Sequence, residues 1–142
     1  MLDLDAPIVP GLCAAGISLG ESAETILAWR PNRESILPDG CTRLEFGPVH
    51  VWLKDQAVMQ IGVYRGYTGR LAERIGIAST IAEVESLLGP VIEDEEDNLV
   101  VAAVPGWCFE TEEWVRQGGP RKNTVSRIVG IFVFQADREL AP

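Results

Sequence analysis

A pattern that occurs twice constrains the fold of this chain more than any other feature. Ile17-Ser18-Leu19-Gly20-Glu21-Ser22-Ala23-Glu24-Thr25-Ile26 aligns with Ile75-Gly76-Ile77-Ala78-Ser79-Thr80-Ile81-Ala82-Glu83-Val84 at an offset of 58 residues. Both read apolar, any, apolar, small, polar, Ser/Thr, any, any, Thr/Glu, apolar. Ser22 and Thr80 stand where a helix needs a side-chain acceptor for its first backbone N–H groups, and Glu83 can complete a capping box. Helical spacing follows each: Ala23, Ile26, Leu27, Arg30 in the first copy and Ile81, Val84, Leu87, Leu88 in the second. The helices stop at Trp29-Arg30-Pro31 and Leu88-Gly89-Pro90.

The offset continues into strands. Cys41-Thr42-Arg43-Leu44-Glu45-Phe46 lies over Leu99-Val100-Val101-Ala102-Ala103-Val104, and each run ends in a Gly/Pro turn, Gly47-Pro48 or Pro105-Gly106. Val49-His50-Val51-Trp52-Leu53 lies over Trp107-Cys108-Phe109-Glu110-Thr111 with the alternation of a half-buried strand. The third strands, Val58 to Tyr64 and Ile128 to Phe134, match at an offset of 70, so the second copy carries twelve extra residues before its last strand. The turn Lys54-Asp55-Gln56 corresponds to a connection over residues 112–126 whose tip is Gly118-Gly119-Pro120. The expected fold is α+β: two tandem α-β-β-β repeats, about 15–65 and about 74–135, forming one antiparallel sheet with the helices on one face. At 142 residues this is a single domain over 1–142.

With these segments in place, the motif Ile17-Ser18-Leu19-Gly20-Glu21-Ser22, then helix, then hairpin strands, twice over, resembles the tandem repeat of beta-lactamase-inhibitor-protein-like folds. A single copy of the unit resembles small outer-membrane-assembly lipoproteins, but here Leu12 precedes Cys13 where a lipoprotein site wants a small residue. The resemblance spans roughly residues 15–135 and implies a concave sheet that grips another protein. It carries no individual functional residue over to this chain.

Composition narrows the function classes. The formal net charge is −9, about −3 over residues 1–73 and −6 over 74–142, which repels nucleic-acid phosphate and attracts a basic partner. Cys13, Cys41 and Cys108 lack C-x-x-C spacing, so neither a disulfide framework nor a zinc site is expected. Acids at the N-terminus, with Pro7 and Pro10 breaking the apolar run, argue against a signal peptide, and no run is long enough for a membrane span. The expectation is a soluble cytoplasmic protein without cofactor or metal.

Alternation picks out the candidate binding face. Val49, Val51 and Leu53, with Met59, Ile61 and Val63, are expected to face the helices, leaving His50, Trp52, Gln60, Gly62 and Tyr64 on the other side. Cys108, Glu110, Gly130, Phe132 and Phe134 join them from the second copy. Trp52, Tyr64, Glu110, Phe132 and Phe134 give that side the composition of a protein interface. Trp114 and Arg116, within the enlarged connection, are candidate contacts, and the run Glu93-Asp94-Glu95-Glu96-Asp97 is a candidate for steering a basic surface. The glycines and cations of residues 116–122 lack the order of a phosphate loop. His50 is the sole histidine, so a catalytic reading would need it with Cys108 and Glu110.

The reading that follows is a non-enzymatic protein-binding module, an inhibitor or immunity protein that occludes a toxin or enzyme. Two rivals stand beside it: a small-ligand protein or enzyme using the concave sheet pocket, and a self-associating module, a homodimer through its open face.

Overall fold

The computed structural model describes residues 2–112 and 123–136. A two-residue ribbon, β1 (Cys13–Ala14) with β2 (Ile17–Ser18), leads into helix α1 (Ala23–Leu27) and strands β3 (Arg33–Ile36), β4 (Thr42–Phe46), β5 (Val49–Lys54) and β6 (Ala57–Tyr64). After a connector come helix α2 (Ile81–Leu88) and strands β7 (Val91–Glu93), β8 (Leu99–Val101), β9 (Trp107–Thr111) and β10 (Ile128–Phe134). Among the described residues one antiparallel sheet holds eight strands in the order β3-β4-β5-β6-β10-β9-β8-β7. Among the described residues α1 and α2 are each followed by four strands, which corrects the expectation of three. The extra strands β3 and β7 are the two sheet edges. Arg33-Glu34-Ser35-Ile36 has one apolar residue and β7 has three residues in all, so neither shows the alternation by which a strand is read from sequence. Pairing with β4 and β8 makes them strands.

The last strands of the two halves meet at the sheet centre. β6 pairs β10 with Tyr64 opposite Gly130, Gly62 opposite Phe132 and Gln60 opposite Phe134. Local contacts also correspond between the halves. Gly20 donates its N–H to the Val58 carbonyl and Val58 donates to Glu21, as Ala78 does to Ile128 and Ile128 to Ser79. Ala23, first in α1, donates to the Gln56 carbonyl, and Ile81, first in α2, donates to Ser126. Helix N-termini that would otherwise expose unpaired N–H groups are thereby tied to the sheet. Thr80 and Glu83 form the capping box, with Glu83 N–H donating to Thr80 Oγ1 at 3.2 Å and Thr80 N–H to Glu83 Oε1 at 3.0 Å. Asp55 and Gln56, at φ 52° and 67°, make the tight β5–β6 turn.

One face of the sheet carries the core. Leu44, Phe46, Val49, Val51, Ile61, Val63, Ile131, Val133, Trp107, Phe109, Leu99 and Val91 are buried there together with Ala23 and Ile26 of α1 and Ile81 and Val84 of α2. α1 and α2 cover the same face, and each fully buried aliphatic contributes roughly 1.5–3 kcal/mol. Leu27 and Leu87 turn outward instead. Met59 is a correction. A β-bulge sets Trp52 opposite Gln60 but Leu53 opposite Val58, so Met59 is the unpaired extra residue and Val58 takes the core position. A second bulge lies between Ile128 and Gly130 against β9.

The N-terminal segment straps the connector between the halves. Ile8 donates to Arg70, Thr68 and Gly69 donate to Leu4, and the Tyr67 hydroxyl donates to the Ala6 carbonyl while accepting from Ala15 N–H. Gly106 lies under this strap at φ 96°; a Cβ there would sit 2.6 Å from the Gly11 nitrogen, which only glycine avoids.

Candidate functional site

The sheet face opposite the helices is built by strand alternation. β5 contributes His50 and Trp52, β6 Gln60 and Tyr64, β10 Phe132 and Phe134, and β9 Cys108 and Glu110. Four rings meet: Trp52 and Phe132 are 6.0 Å apart and edge-on, Tyr64 and Phe132 5.7 Å, His50 and Tyr64 4.6 Å, and His50 and Trp52 6.1 Å. Such contacts add to simple burial. Their floor is Gly62, where a Cβ would lie 2.9 Å from Trp52 and 3.0 Å from Phe132. Gly130 does the same for Tyr64 and Glu110, whose atoms lie 3.2 and 3.1 Å from the Cβ position. Glycines in two central strands let the rings lie down on the sheet. The rings of His50, Trp52, Tyr64, Phe132 and Phe134 are all half-buried.

Charge frames this cluster unevenly. On β4, Glu45 holds three cationic or ionisable groups: Arg43 at 3.6 Å, His50 at 3.7 Å and Arg33 at 4.0 Å. The Arg43 Nε is buried without a hydrogen-bond partner among the described residues. Burial pulls the His50 pKa below its ordinary value against the opposing pull of Glu45. Burial raises Tyr64, with Glu110 adding to it, and burial raises Glu110.

The sequence-predicted residues divide three ways. Trp52, Tyr64, Phe132, Phe134 and Glu110 share this face as expected. Glu93-Asp94-Glu95-Glu96-Asp97 does not join them. Glu93 ends β7 and residues 94–97 lie in the β7–β8 hairpin turn at the far edge, where the Asp94 carboxylate accepts from Glu96 and Asn98 N–H at 2.9 Å. Trp114 and Arg116, with the Gly118-Gly119-Pro120 tip, lie outside the described residues. Arg43 and Glu45 were missed as candidates. Their alternation with Leu44 and Phe46 marks them as facing away from the core, but only the sheet register sets them beside His50.

His50 and Cys108 stand in one row, His50–Gly62–Phe132–Cys108, with β6 and β10 between them. Three strand spacings put them roughly 14 Å apart, far beyond a thiol–imidazole hydrogen bond. No group of three or more His, Cys, Asp or Glu able to hold a metal occurs among the described residues, and no helix among them is long and apolar enough to cross a membrane. Cys13, Cys41 and Cys108 are not joined by disulfides.

No protein-family model matches the chain, and no curated protein does. Among solved structures it is similar to a cysteine-rich secretory protein from Staphylococcus aureus subsp. aureus Mu50, with a TM-score of 0.50 and 9% identity. The match covers 96% of this chain and 50% of that one, so this chain spans half its length. At that identity the likeness speaks to fold alone.

Proposed function

We propose that this chain is a non-enzymatic protein-binding module, an inhibitor or immunity protein that covers a basic protein surface with the aromatic face of its sheet. The observation that carries this reading is the contact cluster of His50, Trp52, Tyr64 and Phe132 on the face opposite both helices. Half-buried aromatic rings on a rigid sheet are strong anchors, because little side-chain freedom is lost when a partner arrives. The net charge of −9 favours a basic partner and speeds encounter. The acidic β7–β8 turn acts in this scheme as a steering patch at the sheet edge. Cysteines without disulfides suit a cytoplasmic setting.

We further read the two halves as tandem repeats of the kind seen in beta-lactamase-inhibitor-protein-like folds. The matched hydrogen bonds of Gly20 with Val58 and Ala78 with Ile128 support this. So do the bulges, which fall at corresponding places, Leu53 opposite Val58 and Thr111 opposite Ile128.

The test is calorimetric titration against the product of the adjacent gene, at low and high salt. Trp52→Ala and Tyr64→Ala are each expected to weaken binding by about 2 kcal/mol, roughly 30-fold, with the circular dichroism spectrum unchanged. Undiminished binding in the double variant would remove the face from consideration. Absence of any salt dependence would remove the basic partner.

A further inference from the structure

Strand β3 closes one side of the sheet, and nothing pairs with its outer side among the described residues. Its inner pairing fixes which groups point outward. Leu37 donates its N–H to the Cys41 carbonyl at 2.8 Å, and the register runs Ile36–Thr42, Ser35–Arg43, Glu34–Leu44, Arg33–Glu45. Hydrogen-bonded positions alternate along an antiparallel ladder. Ser35 and Arg33 therefore turn their N–H and C=O groups to β4, and Glu34 and Ile36 turn theirs to the outside.

Exposed edges in soluble proteins are guarded by charge or proline. Arg33 and Glu34 fit that rule, and Ile36 breaks it. At 80% exposure it is the most exposed large hydrophobic side chain among the described residues. Beside it, on the helix side of the sheet, is a cleft of about 390 Å³ lined by Ala23, Leu27, Glu34, Thr42 and Leu53 among others. Leu27 in that lining is itself 41% exposed.

We propose that β3 pairs with β3 of a second copy, antiparallel and two-fold about Ser35, so that one sheet runs through both chains. In this register Glu34 lies opposite Ile36 of the second copy, and the outward N–H and C=O groups of each pair bond to one another. Ile36 of each copy then comes to the rim of the other's cleft, beside Glu34. The neighbouring registers fail for stated reasons. A slip of one residue sets outward-facing groups against inward-facing ones. A shift by two in one direction puts Glu34 opposite Glu34, like charge on like charge. The same shift the other way puts Glu34 opposite Pro38, which has no N–H to give. This dimer uses a surface separate from the aromatic face and leaves that face uncovered.

Light scattering and sedimentation of the full chain over a range of concentrations, with amide hydrogen exchange at both ends of the range, test the proposal. A concentration-dependent dimer is expected, with the amides of Glu34 and Ile36 slowing as it forms while those of Arg33 and Ser35 are slow throughout. Ile36→Lys should stay monomeric where the wild type is dimeric, and Ile92→Lys, on the opposite edge, should not. A monomer at every concentration overturns the proposal. So does a dimer that survives Ile36→Lys, or one that forms without slowing the Glu34 and Ile36 amides. Should Ile36→Lys fail to give a native circular dichroism spectrum, the amide pattern of the wild type decides alone.

Discussion

Gly20 and Ala78 hold nearly the same left-handed backbone, φ 89° and 78°, just before the two helices. An alanine there carries a Cβ against the following carbonyl, which costs about 1–2 kcal/mol, and a glycine does not. Part of that relief is offset by the greater freedom glycine has when unfolded. Ala78→Gly is therefore expected to stabilise the protein by about 0.5–1 kcal/mol, read as a higher midpoint in chemical denaturation. The sequence alignment pairs these two positions as small residues, and the need for a left-handed turn is the physical reason they are small. Sequence alone does not reveal that the second copy carries a strained residue at this turn, because alanine is unremarkable in a list of letters.

At the scale of the strand, β6 joins two faces with different demands. Ile61 and Val63 are buried in the core, and Gly62 between them is covered by Trp52 and Phe132. Gly62→Ala would push a methyl into rings already 2.9 and 3.0 Å away. The expected loss is about 1–3 kcal/mol in denaturant unfolding, recovered only in part by pairing it with Phe132→Leu, because Trp52 still meets the methyl. The alternation of β5 and β10 was legible because each buries one face and leaves much of the other half open. Met59 was misplaced because a bulge changes the period without leaving a mark in the residue types. The edges β3 and β7 were illegible for a different reason: β3 is largely exposed on both faces and β7 has three residues, so neither is long or buried enough to show a hydrophobic alternation. Arg43 and Glu45 were readable as outward-facing, but their meeting with His50 depends on strand register, which no local pattern encodes.

Over the whole molecule, the open face makes stability respond to pH through two groups of opposite sign. Glu110 titrates above its ordinary value of 4.5 because burial disfavours its carboxylate. The folded chain keeps that proton where the unfolded chain has lost it, so this contribution is present below the ordinary value and is lost as pH rises through the raised one. His50 titrates below its ordinary 6.5. Its contribution is present above 6.5 and is lost as pH falls through the lowered value. Glu110→Gln should accordingly melt higher than the wild type at neutral pH, with the gap closing as the pH falls toward 4.5. Thermal melts of both proteins across that range check it. The helix-covered α+β sheet and the membership of the aromatic face were legible in the sequence, since both rest on local alternation. The eight-strand order was not, since it depends on which distant edges meet.

The central seam also sets an order in time. β6 has β5 on one side, but its other neighbour is β10, made of residues 128–134. During synthesis at about 5–20 residues per second, roughly 3–14 seconds separate the two strands. Through that interval β6, with Ile61, Val63 and Tyr64, lacks the neighbour that pairs its second edge. A ribosome-bound chain of this protein is thus exposed to chaperone capture, or to pairing with a neighbouring nascent chain, until its own last strand arrives.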